Sequence, residues 1–350
     1  MYKATYQSHQ LQFKREARTS RNVLTTHTVY YLKLIRLADG KITYGEAAPL
    51  KGLSIDDVPD FEQKMQRVCE GLSEGLSIEA LDLQNYPSIY FAVETALLSM
   101  QHQQPFLLFE TNFTKGKQTI PINGLVWMNE KETMLQEALE KASTGFDTIK
   151  FKVGALDFDE ECRMLEAFRK QFNAFKVTIR LDANGAFAND EAHKKLKELA
   201  RFDIHSIEQP IKPKQWEAMQ ELCATTSIAI ALDEELIGVD VHTQGQLLLQ
   251  YIQPQYIILK PTLIGGLNNS EAWIKWAQKQ GIGWWATSAL ESNIGLNAIA
   301  QFTSTQHIQM PQGLGTGSLY TNNIPSPLVV SKGQLLYEVN KPWEIPKDSN

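Results

Sequence analysis

Five charged residues recur at nearly even intervals through the middle of the chain, each at the end of a short, mostly apolar run. They are Lys152, Asp182, Glu208, Asp233 and Lys260, and the intervals between them are 30, 26, 25 and 27 residues. A strand, a helix and their connections together take roughly 30 residues. In a barrel of such units, the residues at the strand ends converge on one mouth. The spacing therefore predicts that these five side chains meet.

The pattern around these residues predicts the fold class. From about residue 120, strand-like runs alternate with helix-like runs in about eight units, with a last short strand near Ile308. The strands are short and apolar, as expected when helices cover both faces of a parallel sheet. We therefore predict an α/β fold, a modified (β/α)8 barrel of the TIM type, over residues 116–319. No Gly-x-Gly-x-x-Gly motif follows an early strand, which disfavours a dinucleotide site.

Residues 1–115 have a different organisation. Strand-like runs come first and two helix-like runs follow, which predicts a separate α+β domain. The polar segment 15–26, which contains Arg21, is predicted to be a loop that closes over a site. The tail, residues 320–350, is predicted to return and complete this N-terminal domain.

Composition limits the partners. The net charge of −6 leaves no basic stripe to neutralise the phosphates of a nucleic acid. No run of about 18 apolar residues predicts a membrane span, and the N-terminus shows no apolar signal segment. Three widely spaced cysteines suggest neither a zinc cluster nor a disulfide framework. We expect a cytoplasmic enzyme that binds a small-molecule carboxylate, and the sequence leaves its oligomeric state open.

The residue types indicate a reaction class. Three neighbouring carboxylates in a partly desolvated pocket need a cation to remain ionised. Oxygen ligands without His or Cys favour Mg²⁺, and Mn²⁺ could also bind. Such an ion could stabilise the enediolate that forms when the carbon next to a carboxylate loses a proton. Lys152 is the candidate base, because Lys150 lies on the same strand face and should lower its pKa.

Motifs around these residues resemble the enolase superfamily, in its muconate-lactonizing subgroup. The resemblance covers nearly the whole chain, from Gly45–Leu50 and Phe91–Leu97 onward. The barrel motifs are Lys150-x-Lys152, Asp182-Ala183-Asn184-Gly185, Ile207-Glu208-Gln209-Pro210, Asp233-Glu234-Glu235 and Lys260-Pro261. The resemblance implies that residues 1–115 cap the barrel mouth with a mobile loop near Arg21. It also implies that Asp182, Glu208 and Asp233 bind Mg²⁺ and that Lys152 and Lys260 are catalytic.

The late motifs Thr287–Gly295 and Gly313–Gly317 resemble those of o-succinylbenzoate synthases, which implies a syn dehydration. Under that resemblance, the further candidate substrate-binding residues are Lys150, Asn184, Ser288, Gly315, Thr316 and Arg21. Residues 308–318 contain no Asp or Glu, which argues against a substrate with a cationic α-amino group. The alternatives left open are an N-acyl amino acid racemase or dipeptide epimerase, a muconate-type cycloisomerase and, from another class, a non-catalytic binding protein.

Overall fold

The N-terminal part of the chain is an antiparallel sheet packed against two helices. The computed structural model describes residues 1–18 and 23–346. The elements are β1 (Tyr2–Arg18), β2 (Val23–Arg36), β3 (Ile42–Ala47), α1 (Phe61–Glu74) and α2 (Pro87–Ser99). Leu32 of β2, Met65 of α1 and Ala92 of α2 lie in one apolar core. At Gly45 the sheet and α2 are so close that a Cβ would lie 1.9 Å from the carbonyl oxygen of Ala92, so a glycine is required there.

The segment predicted as a polar loop is largely strand, so that prediction was wrong for most of its length. β1 continues to Arg18 and β2 begins at Val23, and these two residues pair in the antiparallel ladder. The register shifts between Gln12 and Ala17. The backbone N–H and C=O groups of paired strands form hydrogen bonds whatever the polarity of the side chains. A prediction from side-chain polarity alone therefore misses such a strand. The Arg18 carbonyl accepts a hydrogen bond from the Met128 N–H, so the hairpin reaches the barrel.

The central part of the chain alternates strand and helix, as predicted. The strands, of which β4 belongs to a different sheet, are β4 (Ile120–Pro121), β5 (Gly124–Val126), β6 (Thr148–Lys152), β7 (Thr178–Asp182), β8 (Ile204–Glu208), β9 (Ala229–Leu232), β10 (Tyr256–Leu259) and β11 (Gly283–Ala286). The helices are α3 (Lys131–Ser143), α4 (Phe158–Gln171), α5 (Asn189–Leu199), α6 (Trp216–Thr225), α7 (Gln246–Ile252), α8 (Pro261–Ile264), α9 (Gly266–Lys279) and α10 (Asn293–Thr305). Among the described residues, β5 to β11 form one seven-stranded parallel sheet in sequence order.

Two residues close this sheet into a barrel. The expected last strand near Ile308 does not form; instead Gln312 bridges Ile122 and Gly313 bridges Thr287, both in parallel. The Asn123 N–H donates to the Gln312 carbonyl at 2.9 Å, and the Ser288 N–H donates to the Gly313 carbonyl at 3.0 Å. The predicted modified barrel is confirmed, with its eighth strand reduced to these bridges.

The C-terminal tail forms a hairpin, β12 (Leu328–Ser331) and β13 (Gln334–Tyr337). It was predicted to complete the N-terminal domain. β13 pairs with β4, and Tyr320 and Ile324 of the same tail pack against Leu11 and Val29 of the N-terminal sheet. Beyond the hairpin, Trp343 stacks on Phe106 with ring centroids 4.4 Å apart. The tail therefore contacts both the N-terminal sheet and β4, the strand that precedes the barrel sheet.

The domain boundary predicted at residue 115 lies in residues 100–119, a described segment without helix or strand. Two carboxylates form hydrogen bonds across that boundary. Glu46 of β3 accepts hydrogen bonds at the start of α10, and Glu94 of α2 accepts them at the start of α9. In the part of the chain that the structure describes, no helix combines the length and apolar character required to cross a bilayer.

Candidate active site

The strand register brings the charged residues together at one edge of the barrel. Lys152 lies opposite Asp182 in the β6–β7 pair, and Asp182 lies opposite Glu208 in the β7–β8 pair. Asp233 follows β9 directly, and Lys260 follows β10 directly. Because all of these strands are parallel, their carboxyl ends share one rim. The structure thus brings together the five residues singled out by their spacing.

Three carboxylates form the centre of the site. Asp182, Glu208 and Asp233 each offer one oxygen, and these oxygens lie within 4.8 Å of one another. All three residues are buried. Glu208 Oε1 forms no hydrogen bond with any described residue, although buried polar atoms are normally paired. An orphaned carboxylate oxygen beside two others fits a divalent cation with a preference for oxygen ligands. The residues present therefore fit a metal ion.

Three lysines surround these carboxylates. Lys150 Nζ lies 2.9 Å from Asp182 Oδ2 and 2.5 Å from Glu208 Oε2. Lys152 Nζ lies 2.6 Å from the same Asp182 oxygen, and Lys260 forms an ion pair with Asp233. Lys152 ends β6 and Lys260 directly follows β10, and three strands separate β6 from β10 in the sheet. The two ammonium groups therefore enter the site from different walls.

Burial and charge move the pKa values of the carboxyl groups apart. Burial raises the pKa of Asp182, but Lys150, Lys152 and Lys260 outweigh burial and hold it well below its usual range. Burial, together with the charges of Asp182 and Asp233, raises the pKa of Glu208 to about 7, against the opposing effect of Lys150. A bound cation would favour the ionised form of both carboxyl groups.

The pKa values of the lysines also diverge. Burial lowers the pKa of Lys152, and the positive charges of Lys150 and Lys260 lower it further, so that it lies below the ordinary lysine value despite the charge of Asp182. For Lys150, burial acts in the same direction, but Asp182 and Glu208 outweigh it and the pKa is raised. Lys152 is thus the better suited of the two to lose and regain a proton.

Asn184 lies beside Lys152, and both ends of its side-chain amide are engaged. Lys152 Nζ donates to Asn184 Oδ1 at 2.8 Å, and Asn184 Nδ2 donates to Glu234 Oε1 at 3.0 Å. Glu234 is buried and directly follows Asp233. The sequence contained this residue within the Asp233-Glu234-Glu235 run, but that run does not show which glutamate faces the site.

The other candidate substrate residues line one cavity of about 170 Å³ with the lysines and Asn184. Ser288, Gly315 and Thr316 belong to its wall, as do Leu50 and Leu53 from the N-terminal part of the chain. Arg21 lies outside the described residues.

The Ser288 hydroxyl is already hydrogen-bonded. Ser288 Oγ donates to Glu291 Oε2 at 2.5 Å and accepts from the Leu290 N–H at 3.0 Å. A serine has one hydroxyl hydrogen, so Ser288 offers a ligand in the cavity only an acceptor. The Thr316 hydroxyl forms no hydrogen bond with the described residues. Glu291, which also accepts from Thr262, was not among the predicted residues, although it lies in the Thr287–Gly295 motif.

Residues 133–338, more than half of the chain, match the family described as enolase C-terminal domain-like. The chain belongs to the enolase superfamily. It is 41% identical to the o-succinylbenzoate synthase of Desulfotalea psychrophila over 362 aligned residues, which cover 95% of this chain and 98% of that relative.

Solved structures of this superfamily have the same architecture. The crystal structure of MenC from Desulfotalea psychrophila superposes with a TM-score of 0.85 at 38% identity, covering 95% of this chain and 99% of that one. The L-Ala-D/L-Glu epimerase of Bacillus subtilis superposes with a TM-score of 0.82 at 21% identity, covering 97% and 96%. At 21% identity, the similarity to the epimerase shows a shared fold only.

Proposed function

We propose that this chain is an o-succinylbenzoate synthase that removes water from 2-succinyl-6-hydroxy-2,4-cyclohexadiene-1-carboxylate, a step of menaquinone biosynthesis. The observation that carries the proposal is the 41% identity to a synthase over nearly the full length of both chains. The buried carboxylates and lysines support it, because this chemistry needs a base beside a stabilised carboxylate.

Asp182, Glu208 and Asp233 are the proposed ligands of one Mg²⁺ ion, and their oxygen-only donor set supports that choice of metal. The ion, when bound, supplies positive charge that stabilises the enediolate form of the substrate. Residues 1–115 are proposed to cap the mouth, and Leu50 and Leu53 in the cavity wall support this role. We further propose a cytoplasmic location, in keeping with a small carboxylate substrate.

In the proposed mechanism, the neutral amine of Lys152 takes the proton from the ring carbon next to the carboxylate. Its lowered pKa supports this role. The electrons of the broken C–H bond move into the enediolate. They return as the C–O bond to the ring hydroxyl breaks, and Lys152 delivers its proton to the departing oxygen. Water leaves and the ring becomes aromatic. One lysine serves both proton transfers, so both occur on the same side of the ring.

Lys260 is proposed to stay charged and to stabilise the enediolate from the other side. Its pKa supports this role: burial lowers it, but Asp233 and Glu234 outweigh burial and hold it above the ordinary lysine value. A cation held against a negative charge that develops during the reaction lowers the barrier.

The test is an ultraviolet assay of the purified protein with the cyclohexadiene substrate. We expect substrate absorbance to disappear with Mg²⁺ and to persist with EDTA. Persistence under both conditions would overturn the proposal. In that case, exchange of the α-proton of N-succinyl amino acids or dipeptides for deuterium would indicate the racemase or epimerase reaction, which two opposed lysines also suit.

A further inference from the structure

A continuous set of hydrogen bonds joins Lys152 to a buried carboxylate that is not among the proposed metal ligands. Lys152 donates to Asn184 Oδ1, and Asn184 Nδ2 donates to Glu234 Oε1. An ammonium group can only donate and a carboxylate can only accept. The two neighbours therefore dictate which way the Asn184 amide points, and Glu234 holds it with its oxygen toward Lys152.

The backbone of Asn184 is constrained as well. Its φ of 48° lies in the left-handed region, which asparagine tolerates better than most residues. Its N–H donates to Asp182 Oδ1 at 3.1 Å. Contacts at the backbone and at both ends of the amide leave this side chain little freedom. Asn184 is therefore a rigid acceptor beside Lys152.

A rigid acceptor matters most when Lys152 is a neutral amine. A neutral amine has two hydrogens and one lone pair. Asp182 Oδ2, at 2.6 Å, and Asn184 Oδ1, at 2.8 Å, can each accept one hydrogen. With both hydrogens held, the lone pair points away from both acceptors, and Lys152 itself lines the cavity. If the Asn184 oxygen turned away, one hydrogen would be unpaired and the direction of the lone pair would be undetermined.

We propose that Glu234 is a positioning residue that, through Asn184, aims the Lys152 lone pair into the cavity. The inference rests on the proposed function, because it takes Lys152 as the group that accepts the proton. Glu235 provides a contrast: it is buried next to Glu234 but accepts from Gln209 Nε2 at 3.0 Å and from the Lys214 N–H at 2.7 Å.

The first test compares three variants for kcat and KM. Glu234→Leu removes the acceptor for Asn184, Glu234→Gln retains an acceptor oxygen, and Glu235→Leu removes the neighbouring carboxylate. Misplacing a reacting group by about 1 Å can cost on the order of 100-fold in rate. We expect Glu234→Leu to lower kcat by about 10- to 100-fold with KM nearly unchanged. Glu234→Gln should recover most of that loss, and Glu235→Leu should keep its kcat. Equal kcat values for Glu234→Leu and Glu235→Leu would overturn the proposal.

A double-variant comparison tests the proposed path. If Glu234 acts through Asn184, then Asn184→Ala and Glu234→Leu remove the same support, and their combined loss of kcat should be much smaller than the product of the single losses. Multiplicative losses would show that Glu234 acts by another route, and the proposal would fall.

A measurement without substrate separates this inference from the proposed function. Folded wild type, Glu234→Leu and Glu235→Leu are treated briefly with acetic anhydride, and acetylation of Lys152 relative to the exposed Lys170 is read by peptide mass spectrometry. We expect this ratio to fall severalfold in Glu234→Leu alone, because the lone pair of Lys152 is then no longer aimed into the cavity through which the reagent arrives. An unchanged ratio would overturn the positioning role even if the wild type dehydrates its substrate. A lowered ratio in Glu234→Leu, with a wild type that does not dehydrate the substrate, would retain the positioning of Lys152 and reject the proposed reaction.

Discussion

Lys150 and Lys152 share one strand face, yet their pKa values move in opposite directions. Lys150 contacts two carboxylates, whereas Lys152 contacts one carboxylate and a neutral amide. A second carboxylate stabilises the charged form of a buried lysine and offsets the cost of burial. The second partner, a carboxylate for Lys150 and a neutral amide for Lys152, therefore distinguishes a lysine that stays charged from a candidate base.

Replacing the candidate base should remove turnover without removing the site. In Lys152→Met, we expect the dehydration rate to fall by at least about 100-fold, the scale of a general base. Calorimetry should still show Mg²⁺ binding, because the three carboxylates remain. Lys170→Met, at an exposed lysine of α4, is the control and should match the wild type. Full activity in Lys152→Met would exclude this residue as the base.

Removing one carboxylate charge should weaken the metal site. In Asp182→Asn, we expect Mg²⁺ affinity to fall by more than about 10-fold, since the loss of a residue that only supports a ligand already costs that much. Titration calorimetry measures the affinity. Asp157→Asn, at the start of α4, leaves the site untouched and serves as the control. Equal affinities in the two variants would contradict the ligand assignment.

At the scale of elements, Glu46 joins β3 of the N-terminal sheet to α10 of the barrel. Its Oε1 accepts from the Ser292 N–H at 2.7 Å, and its Oε2 accepts from Ser292 Oγ at 2.6 Å and from the Gly295 N–H at 2.7 Å. A carboxylate at a helix N-terminus pairs N–H groups that the helix leaves free. Burial nevertheless raises the pKa of Glu46 to about 7, against these hydrogen bonds.

This raised pKa predicts how stability depends on pH. Between about pH 4.5 and 7, folded Glu46 holds a proton that the unfolded chain releases. The stabilisation is complete below pH 4.5 and is lost as pH rises through 7, which amounts to about 3 kcal/mol for a shift of this size. Denaturant unfolding from pH 5 to 8 should therefore show a smaller decline in Glu46→Gln than in the wild type. The exposed Glu166→Gln should retain the wild-type slope, and identical slopes in all three proteins would refute the linkage.

At the scale of the whole molecule, the site lies where many segments meet. Its carboxylates come from β7, β8 and the residue after β9, and unfolding would separate them. A ligand that binds only the folded arrangement stabilises the entire chain by mass action.

Mg²⁺ should therefore raise the melting temperature. At about 100 times the dissociation constant, the gain is roughly 2.7 kcal/mol. With an unfolding entropy of about 2.1 cal/mol/K per residue, this corresponds to roughly 4 °C for a chain of this length. Calorimetric scans with Mg²⁺ and with EDTA measure the shift. In Asp182→Asn, Mg²⁺ should raise the melting temperature only slightly. A full rise in that variant would show that the stabilising ion binds elsewhere.

The barrel class and the position of its charged rim could be predicted from the sequence. Apolar runs alternated with helical runs, and each of Lys152, Asp182, Glu208, Asp233 and Lys260 ended one run. These features are local and periodic, so they can be recognised along the chain without knowledge of its path. The family motifs around the same residues led to the superfamily that the comparisons show.

Which groups become partners depends on the folded chain. Gln312 and Gly313 close the barrel, Ser288 donates to Glu291, and Glu234 rather than Glu235 holds Asn184. The polar residues near Arg18 likewise extend a strand because β2 lies beside them. Each of these outcomes depends on the distance and direction between particular groups once the chain has folded, whereas composition and spacing record only their order. Folding is what gives one of two adjacent glutamates its contact with the site.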